Sequence, residues 1–496
     1  MSASETSVSV PLGDILGYHA ARDPSKPAIT HGDRTLTRAE LDAASNRRAR
    51  HFAAHGVIRG DFVVLALPNS IEFFECTFAL WKLGAIPCPV PPKLPRNELQ
   101  GVATLVTPRL VIATRPLTIE SCKTLNIGND DSADYSTDSV RTQVSPCWKA
   151  ILSGGSTGLP KLIATQSAGT ANPHRGGYFQ QFEDTVLNPG PLYHNASFKS
   201  AHQCLFAGGH VINMERFDAL QALQLIEVHR VAYVVLVPTM MLRMWRLPPE
   251  QRRGIDMSSL RVVMHLGAAC PVWLKEAWIE WLGPERIVEV YGGTEGVGGT
   301  AINGSEWLQH KGSVGRPAAG CEIRILDAAG HECQRGEIGE IFFRQTAGRS
   351  ADFRYIGAEA RDHGDWISLG DLGRLDAAGY LYLADRRTDL IISGGVNIYP
   401  AEIEAALERH PLIRASVVIG LPDEDLGNRV HAIVQVAPAD SSLSTESVFE
   451  FLEDQLVRYK IPRSIEIVTA ELRDEAGKSR RAVFRQQRSS QPAGRP

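Results

Sequence analysis

The segment SGGSTGLPK at 153–161 is the first stretch of the chain whose residue types suit chemistry. The backbone N–H groups of such a glycine-rich loop can converge on phosphate oxygens, and a lysine adds a positive point charge. The segment is not a Walker A loop, because G-x-x-x-x-G-K-[ST] is not satisfied. A flexible turn beside a lysine would have the same composition, so both interpretations stay open for the candidate phosphate ligands Ser153, Gly154, Gly155, Ser156, Thr157, Gly158 and Lys161.

A second polar segment, YGGTE at 291–295, follows the apolar residues 287–290. The Tyr291 ring could stack on a base, and Gly292 and Gly293 allow a ligand to approach the backbone closely. Beside them, Thr294 offers a hydroxyl and Glu295 a carboxylate that could hold Mg²⁺ next to phosphates. Taken alone, the segment is more typical of a tight turn.

Two further groups lie nearer the carboxyl end. Asp371 follows a glycine after a predicted strand, where a carboxylate could accept hydrogen bonds from ribose hydroxyls. Arg386 precedes the glycine-containing segment SGGVN at 393–397, and Lys478 follows Gly477 in a basic tail. A surface charge cluster and a solvated lysine are the plain alternatives for these two cations.

The elements around these motifs predict an α/β protein. Short continuous apolar runs are typical of buried parallel strands, and they alternate here with helical spacing of apolar residues. Strands are predicted at 61–67, 111–114, 232–237 and 261–265, and helices at 38–56, 70–84, 218–229 and 271–282. After about residue 315, short strands at 321–326, 340–344 and 380–384 are separated by turns that include DAAG at 327–330 and 376–379. This spacing indicates an antiparallel, barrel-like part.

Length and composition limit the class of protein. A chain of 496 residues is too long for one core, so at least two domains are expected. The net charge of −4 argues against a nucleic-acid partner. Neither a secretory signal nor a membrane span is expected, and eight cysteines without a C-x-x-C pair favour free thiols and a cytoplasmic location.

The four motifs, in this order, resemble the adenylate-forming superfamily, which includes acyl-CoA synthetases, peptide-synthetase adenylation domains and firefly luciferase. The resemblance covers nearly the whole chain. SGGSTGLPK is similar to the family's phosphate loop, YGGTE to its adenine and magnesium motif, 368–404 to its ribose and hinge region, and GK at 477–478 to its catalytic-lysine motif. PLYHNASF, HLGAACPVWLKEAW and EWLQHKGSVGRP look most like bacterial ligases that act on bile acids, steroid side chains and other bulky acids.

The resemblance implies a large N-terminal adenylation domain over 1–386, built from two α/β subdomains and a small barrel-like subdomain. A small, mobile α+β domain would follow over 387–485 and carry the catalytic lysine. Residues 486–496, rich in Ser, Gln and Pro, are expected to form a disordered tail.

The resemblance also implies the reaction: a carboxylic acid and Mg²⁺-bound ATP give an acyl-adenylate and pyrophosphate, and CoA then takes the acyl group. Ser153, Thr157 and Lys161 would bind the β- and γ-phosphates, with Thr294 near the α-phosphate. Tyr291 would lie along the adenine, Glu295 on Mg²⁺, and Asp371 on the ribose with Arg386 nearby. Lys478 would stabilise the charge on the reacting groups.

The same resemblance implies the other sites. The hinge would lie at Thr388, and Gly394 and Gly395 would leave room for the pantetheine arm of CoA. The acyl pocket would be lined by His194, Phe198, Lys199, Gly267, Ala268 and Ala269. His194 could equally be a structural histidine, and Lys199 is either solvated or opposite a polar group of the acid.

Two other functions stay open on the sequence. In an amide synthetase an amine would capture the same adenylate without CoA; Gly296, Lys199 and the lack of a proline after Leu472 are departures that allow it. The other possible function is a non-catalytic nucleotide- or acyl-binding homologue. The presence together of five polar residues argues against it: Lys161, Glu295, Asp371, Arg386 and Lys478. The acid, the pathway and the choice between monomer and homodimer are left open.

Overall fold

The computed structural model describes residues 8–120, 122–128, 132–154, 160–346, 353–394, 396–423, 425–438, 443–474 and 477–489. The first part of the chain contains the strands β1 (Val10–Pro11), β2 (Pro27–His31), β3 (Arg34–Thr37), β4 (Phe62–Ala66), β5 (Ile86–Pro89), β6 (Leu110–Ala113) and β7 (Lys123–Asn126), and the helices α1 (Ile15–Arg22), α2 (Arg38–Ala54), α3 (Ile71–Lys82) and α4 (Arg96–Val106). Strands β5-β4-β6-β7 form a parallel sheet.

Local sequence explains where these helices begin. Helix α2 starts at a capping box, in which Thr37 accepts from the Glu40 amide and the Glu40 side chain accepts from the Thr37 amide. Ser70 caps α3 in the same way, by accepting from the Phe73 amide. Both helices then pack on the sheets with Phe52, Phe73 and other apolar residues fully buried.

The middle of the chain supplies seven of the nine strands of the largest sheet. This part of the chain contains the strands β8 (Ala150–Gly154), β9 (Pro160–Thr165), β10 (Thr170–Ala171), β11 (Thr185–Asn188), β12 (His210–Asn213), β13 (Tyr233–Leu236), β14 (Val262–His265), β15 (Ile287–Gly292), β16 (Gly299–Asn303) and β17 (Arg316–Pro317), and the helices α5 (Asn195–Phe206), α6 (Ala219–Val228), α7 (Pro238–Trp245), α8 (Pro249–Arg253), α9 (Val272–Leu282) and α10 (Gly304–Gln309). Nine strands pair in the order β17-β16-β15-β14-β13-β11-β12-β2-β3. The six from β15 to β2 are parallel, so their carboxyl ends share one edge, where ligands of α/β sheets bind.

An antiparallel part follows, with β18 (Cys321–Leu326), β19 (Gly339–Gln345), β20 (Phe353–Ile356), β21 (Arg361–His363), β22 (Trp366–Leu375) and β23 (Leu381–Arg386). Strands β18-β19-β22-β21 are antiparallel, and β23 pairs with β22. The two DAAG segments are turns, closed by bonds from the Gly330 amide to the Asp327 oxygen and from the Gly379 amide to the Asp376 oxygen. Strand β20 instead joins β9 and β8, and so brings this part against the predicted phosphate loop.

The last part of the chain has its own core. It contains β24 (Ile391–Ser393), β25 (Val396–Ile398), β26 (Ala415–Asp423), β27 (Gly427–Gln435), β28 (Ser464–Val468), α11 (Pro400–Leu407), α12 (Thr445–Glu453) and α13 (Arg481–Ser489). Ile403, Val418 and Ala432 are central to this core. The turn at 387–390 separates it from β23, and the predicted domain division at 386/387 falls in this turn.

The observed architecture confirms the predicted fold class, with two α/β sheets and an antiparallel part followed by a small α+β body. One correction concerns the tail: residues 486–489 belong to α13, because Arg488 pairs with Glu466 on β28 and holds the helix end on the sheet. Residues 490–496 lie outside the described part of the chain. Within the described part, no helix is both long and apolar enough to cross a membrane, and all eight cysteines are free.

Candidate active site

The predicted ribose-binding residues meet where the large sheet and the antiparallel sheet adjoin. Tyr291, at the end of β15, donates a hydrogen bond from its hydroxyl to Asp371 Oδ2 at 2.8 Å. Asp371 and Arg386 are cross-strand neighbours on β22 and β23, with Arg386 Nε 3.5 Å from Asp371 Oδ1. Burial raises the pKa of Asp371, against the charge of Arg386. The arrangement leaves a carboxylate, an aromatic ring and an exposed guanidinium on one wall.

Glu295 lies beside this wall and is itself held in place. Tyr355, on β20, donates from its hydroxyl to Glu295 Oε1 at 2.6 Å. A Cβ on Gly293 would lie 2.4 Å from Glu295 Oε2, so the glycine leaves space for the carboxylate. Thr294 is half-buried in the turn between them, which the Gly296 amide closes on the Gly293 oxygen at 3.2 Å.

Lys161, at the end of the predicted phosphate-binding segment, contacts Tyr355, which in turn donates to Glu295. Its Nζ lies 4.1 Å from the centroid of the Tyr355 ring, a cation–π contact. Desolvation lowers the pKa of Lys161, while Glu295 raises it and Arg386 lowers it further. Ser153 faces Lys161 across the β8–β9 pair, so the hydroxyl and the ammonium group flank the loop. The predicted ligands Gly155, Ser156, Thr157 and Gly158 lie outside the described residues, and of Gly154 only its place in β8 is described.

Glu295 fits a magnesium site of the kind that ATP completes. Mg²⁺ is usually bound by one or two carboxylates together with substrate phosphates rather than by a cage of protein ligands. The described residues contain no cluster of three or more potential metal ligands. One oxygen of Glu295 is engaged by Tyr355, which orients the carboxylate for a single-carboxylate site.

Lys478 reaches this centre from the small C-terminal body. Its amide donates to Asp474 Oδ1 at 2.9 Å, and the Gly477 amide donates to the Asp474 oxygen at 2.8 Å. Gly477 has φ of +73°, and a Cβ there would lie 2.6 Å from Thr239 Oγ1 on α7. Only a glycine therefore lets this turn lie flat against the large body.

The electrostatic neighbours of Lys478 identify where its side chain lies. Lys478 is exposed; desolvation and then the charge of Arg386 lower its pKa, while Asp474 and Glu295 raise it. Burial, and then the charge of Lys478, lower the pKa of His194 to about 4. The charge of Lys478 thus interacts with those of Arg386 and Glu295, and with His194 before α5.

Two arginines, which the sequence analysis did not recognise, anchor the segment that carries Lys478. Before it, Arg473 donates to Glu408 Oε1 at 2.8 Å and to the Ser416 oxygen at 3.1 Å. After it, Arg481 donates to both oxygens of Glu404 and, at 2.7 Å, to Asp389 Oδ2. In this arrangement these ion pairs hold Arg481 on the small body, and its guanidinium group is not solvated.

The residues predicted to line the acyl pocket do not all lie together. His194 is the residue before α5 and makes no side-chain capping bond, and its Nε2 is buried without a hydrogen-bond partner among the described residues. The prediction for Phe198 does not hold: its ring is 0% exposed and packs in the core against Phe73 and His202. Lys199 is half-buried on α5, with Nζ 4.6 Å from the centroid of Tyr178.

The small residues 267–269 lie at the end of β14. Gly267 has φ of +88°, which favours glycine. Ala268 and Ala269 line a cavity of about 30 Å³ between α7, α9 and the small body, with Glu408, Arg414 and Arg473 on its far side. This volume suits water and not a bulky acyl group, so in this arrangement these alanines do not face an open acyl pocket.

The predicted hinge and acceptor residues are exposed. Thr388 lies in the turn at 387–390, and the Gly394 amide donates to the Leu426 oxygen at 2.9 Å. Ile392 and Val396, on the β24–β25 hairpin, are 54% and 43% exposed. Gly395 lies outside the described residues.

One further residue near the centre was missed. Lys149 precedes β8 and is 3% exposed, and its Nζ donates to Asn195 Oδ1 on α5. Burial, and then the charge of Lys199, lower its pKa to about 7, while Cys147 and Glu295 raise it. A lysine after tryptophan at the start of an apolar run gives no signal of this, since its partners are about 50 residues away along the chain.

The Tyr291–Asp371–Arg386 wall, the carboxylate of Glu295 and the ammonium group of Lys161 are groups that suit an ATP-dependent, adenylate-forming site. The family comparisons agree. The AMP-binding enzyme family matches residues 16–348, and the AMP-binding enzyme C-terminal domain matches residues 402–478. The chain belongs to the AMP-binding enzyme family and is an AMP-forming ligase.

Several relatives are similar over nearly their whole length. The chain is 29% identical to the long-chain-fatty-acid–CoA ligase FadD13 of Mycobacterium tuberculosis, over 97% of this chain and 99% of the relative. It is 31% identical to a feruloyl-CoA synthase of Amycolatopsis, over 92% and 94%. The narrower resemblance to bile-acid and steroid ligases is not specifically supported by these relatives and stays a prediction.

Solved structures give the same picture. The o-succinylbenzoate CoA synthetase of Bacillus subtilis, in complex with its acyl-adenylate intermediate, has a TM-score of 0.81 and 26% identity, covering 99% of this chain and all of the other. The same synthetase in complex with ATP and a magnesium ion has a TM-score of 0.80 at 26% identity, over 96% and 99%.

Proposed function

We propose that this protein is an acid–CoA ligase, which activates a carboxylic acid as an acyl-adenylate and then passes the acyl group to CoA. The observation that supports the proposal is the packing of the turn before Lys478 against Thr239 of the large body, together with the effect of the Lys478 charge on the pKa of His194. The similarity to CoA ligases over the full chain supports the choice of CoA as acceptor.

In the first half-reaction, the carboxylate attacks the α-phosphate and pyrophosphate leaves. Both reactants are anions, so the protein must neutralise charge where they meet. Lys161 would do this at the β- and γ-phosphates, and Lys478 at the α-phosphate and the attacking oxygen. Lysine suits the second role because it is a point charge on a long stem that can be brought in and withdrawn.

Mg²⁺ held by Glu295 and the phosphates would neutralise the charge of the leaving pyrophosphate. The protein's own contribution there is to orient one carboxylate, through Tyr355 and the space left by Gly293. Asp371 would accept from the ribose hydroxyls, with Tyr291 bound to its other side and along the base. Thr294, in the turn before Glu295, would donate to the α-phosphate.

In the second half-reaction, the small domain would rotate at Thr388 and withdraw Lys478. The β24–β25 hairpin with Gly394 and Gly395 would then take its place and guide the pantetheine arm. The exposure of Ile392 and Val396 supports this, because an apolar hairpin tip is left uncovered before rotation. The neutral imidazole of His194 would face the acyl group at the start of its pocket.

The acceptor is tested by mass spectrometry of products formed from ATP, Mg²⁺ and a panel of bulky acids, with CoA, with amines or with neither. A thioester that requires CoA supports the proposal. An amide formed without CoA would identify the amide synthetase instead, although no contact of the described residues favours it. A cytoplasmic location, a bulky or cyclic acid, and a monomer or homodimer are parts of the same proposal.

A further inference from the structure

A pair of lysines beside the candidate active site has no role in the chemistry above. Lys149 is buried before β8, and its Nζ donates to Asn195 Oδ1 and lies 4.9 Å from the centroid of Trp148. Asn195 and Lys199 are four residues apart on α5 and therefore share one face of that helix. The two ammonium groups thus lie over the same face, near enough that the charge of Lys199 acts on Lys149.

This pair lacks the counter-ion that buried cations need. The other two deeply buried lysines of the described chain are paired, Lys82 with Asp42 at 2.7 Å and Lys275 with Glu289 at 2.6 Å. Among the described residues, neither Lys149 nor Lys199 forms an ion pair with a carboxylate. A buried charge is costly unless it is paired, and two adjacent cations add their repulsion to that cost.

The candidate counter-ion within the protein, Glu295, already has a hydrogen-bond donor. Among the described residues, Glu295 is the carboxylate whose charge raises the pKa of Lys149, but it already accepts a hydrogen bond from Tyr355 and is the proposed ligand of Mg²⁺. Lys199 has only the Tyr178 ring, which offers a weak cation–π contact. The pair is thus left to be neutralised by an anion that comes from outside the protein.

We propose that Lys149 and Lys199 form an anion subsite of the acyl pocket, and that the acid activated here is a dicarboxylic acid whose second carboxylate binds between them. The proposal rests on the proposed function and names the substrate class of the same site. His194 directly precedes α5, and Lys199 is five residues further on, an axial rise of about 7.5 Å at about 1.5 Å per residue. Diacids with carboxylates roughly this far apart, such as adipate and terephthalate, fit that separation.

The test compares each diacid with its own monomethyl ester, which keeps the shape and removes one charge. Pyrophosphate release is measured with glutarate, adipate, isophthalate and terephthalate and with their monoesters. The variants Lys199→Met and Lys149→Met remove one charge each and keep the length of the side chain. The variant Lys199→Arg keeps the charge. Lys311→Met, an exposed lysine paired with Glu276 on the surface, is the matched control.

The expected result is a wild-type kcat/KM that favours at least one diacid over its monoester, and a loss of that ratio by about 10- to 100-fold in Lys199→Met, the loss typical of a charged hydrogen bond. Lys199→Arg should retain most of the ratio, and Lys311→Met all of it. A wild-type preference for monoesters, or an unchanged ratio in Lys199→Met, would overturn the proposal. So would an equal loss on diacid and monoester in Lys199→Met and Lys149→Met, because the lysines would then act at the reacting carboxylate.

Binding separates this proposal from the proposed function. If the wild-type protein releases no pyrophosphate with any acid, the ligase assignment fails, and calorimetric titration with the diacids and monoesters still decides the subsite. Diacid binding that weakens by 10-fold or more in Lys199→Met supports the subsite. Equal binding of diacid and monoester, or no binding of either, refutes it.

Discussion

Arg481→Met is expected to loosen the segment that carries Lys478 without touching the active site directly. Arg481 makes three hydrogen bonds, to both oxygens of Glu404 at 3.2 and 2.7 Å and to Asp389 Oδ2 at 2.7 Å. Glu404 is only 7% exposed at its side chain, so removal of Arg481 leaves a buried carboxylate short of a partner. The longer contact of Arg473, at 3.6 Å, and the Val418 amide, at 2.8 Å, would remain to Glu404.

The magnitude follows from these contacts. Breaking a buried ion pair costs about 3–5 kcal/mol, and because two partners of Glu404 remain, the expected loss is about 3 kcal/mol. Since about 1.4 kcal/mol corresponds to a tenfold change in an equilibrium constant, local opening of the small domain should become about 100-fold more frequent. The adenylation rate should fall, because Lys478 spends less time at Glu295.

Hydrogen–deuterium exchange of the peptides over β26 and β27 measures this opening. Arg480→Met is the matched control, because the neighbouring Arg480 is exposed and lies 3.8 Å from Glu98, a pair expected to contribute about 0–1 kcal/mol. Unchanged exchange in Arg481→Met, or equal acceleration in both variants, would refute the anchoring role of Arg481.

Three other perturbations test the site and its surroundings. Tyr355→Phe removes the donor to Glu295 Oε1 and should raise the KM for Mg²⁺-bound ATP in pyrophosphate release by about 10-fold, the effect of about 1.5 kcal/mol; an unchanged KM would exclude the orienting role. Gly293→Ala places a Cβ 2.4 Å from Glu295 Oε2 and should weaken Mg²⁺-dependent ATP binding in calorimetry; binding equal to wild type would show that the carboxylate is not confined there. Burial lowers the pKa of His202 from 6.5 to about 3, so between these pH values the unfolded state binds a proton that the folded state does not, and stability falls as pH falls. His202→Gln should therefore reduce the slope of the unfolding free energy, followed by fluorescence of the tryptophans (all at or before Trp366), by about 1.4 kcal/mol per pH unit, and an unchanged slope would contradict a neutral buried His202.

Local patterns were sufficient for most elements of the fold. The run DFVVLAL predicted β4 because a parallel strand buried on both faces needs apolar residues at every position. The helix predicted at 38–56 is α2. Its start is set by local sequence, because the capping box uses Thr37 and Glu40, three residues apart. The two DAAG turns follow from aspartate and glycine at fixed spacing.

Contacts between distant segments were not predictable in the same way. Tyr355 binds Glu295 because β20 pairs with β9, and not with the strands that precede and follow it in the chain. The periodicity of the sequence does not predict that pairing. The roles of Arg473 and Arg481 were not predicted, because their partners Glu408 and Glu404 lie at the end of α11, more than 60 residues earlier. Phe198 was placed in the acyl pocket by its motif, but its position on α5 turns the ring into the core.

The position of Lys478 is the central claim, and separate measurement of the two half-reactions tests it most directly. In Lys478→Met, the rate of adenylate formation from acid and ATP should fall by about 100- to 1000-fold, the loss typical of one group that stabilises charge in the transition state. Capture of a pre-formed acyl-adenylate by CoA should stay near the wild-type rate. Equal loss in both half-reactions, or an unchanged rate of adenylation, would contradict the account.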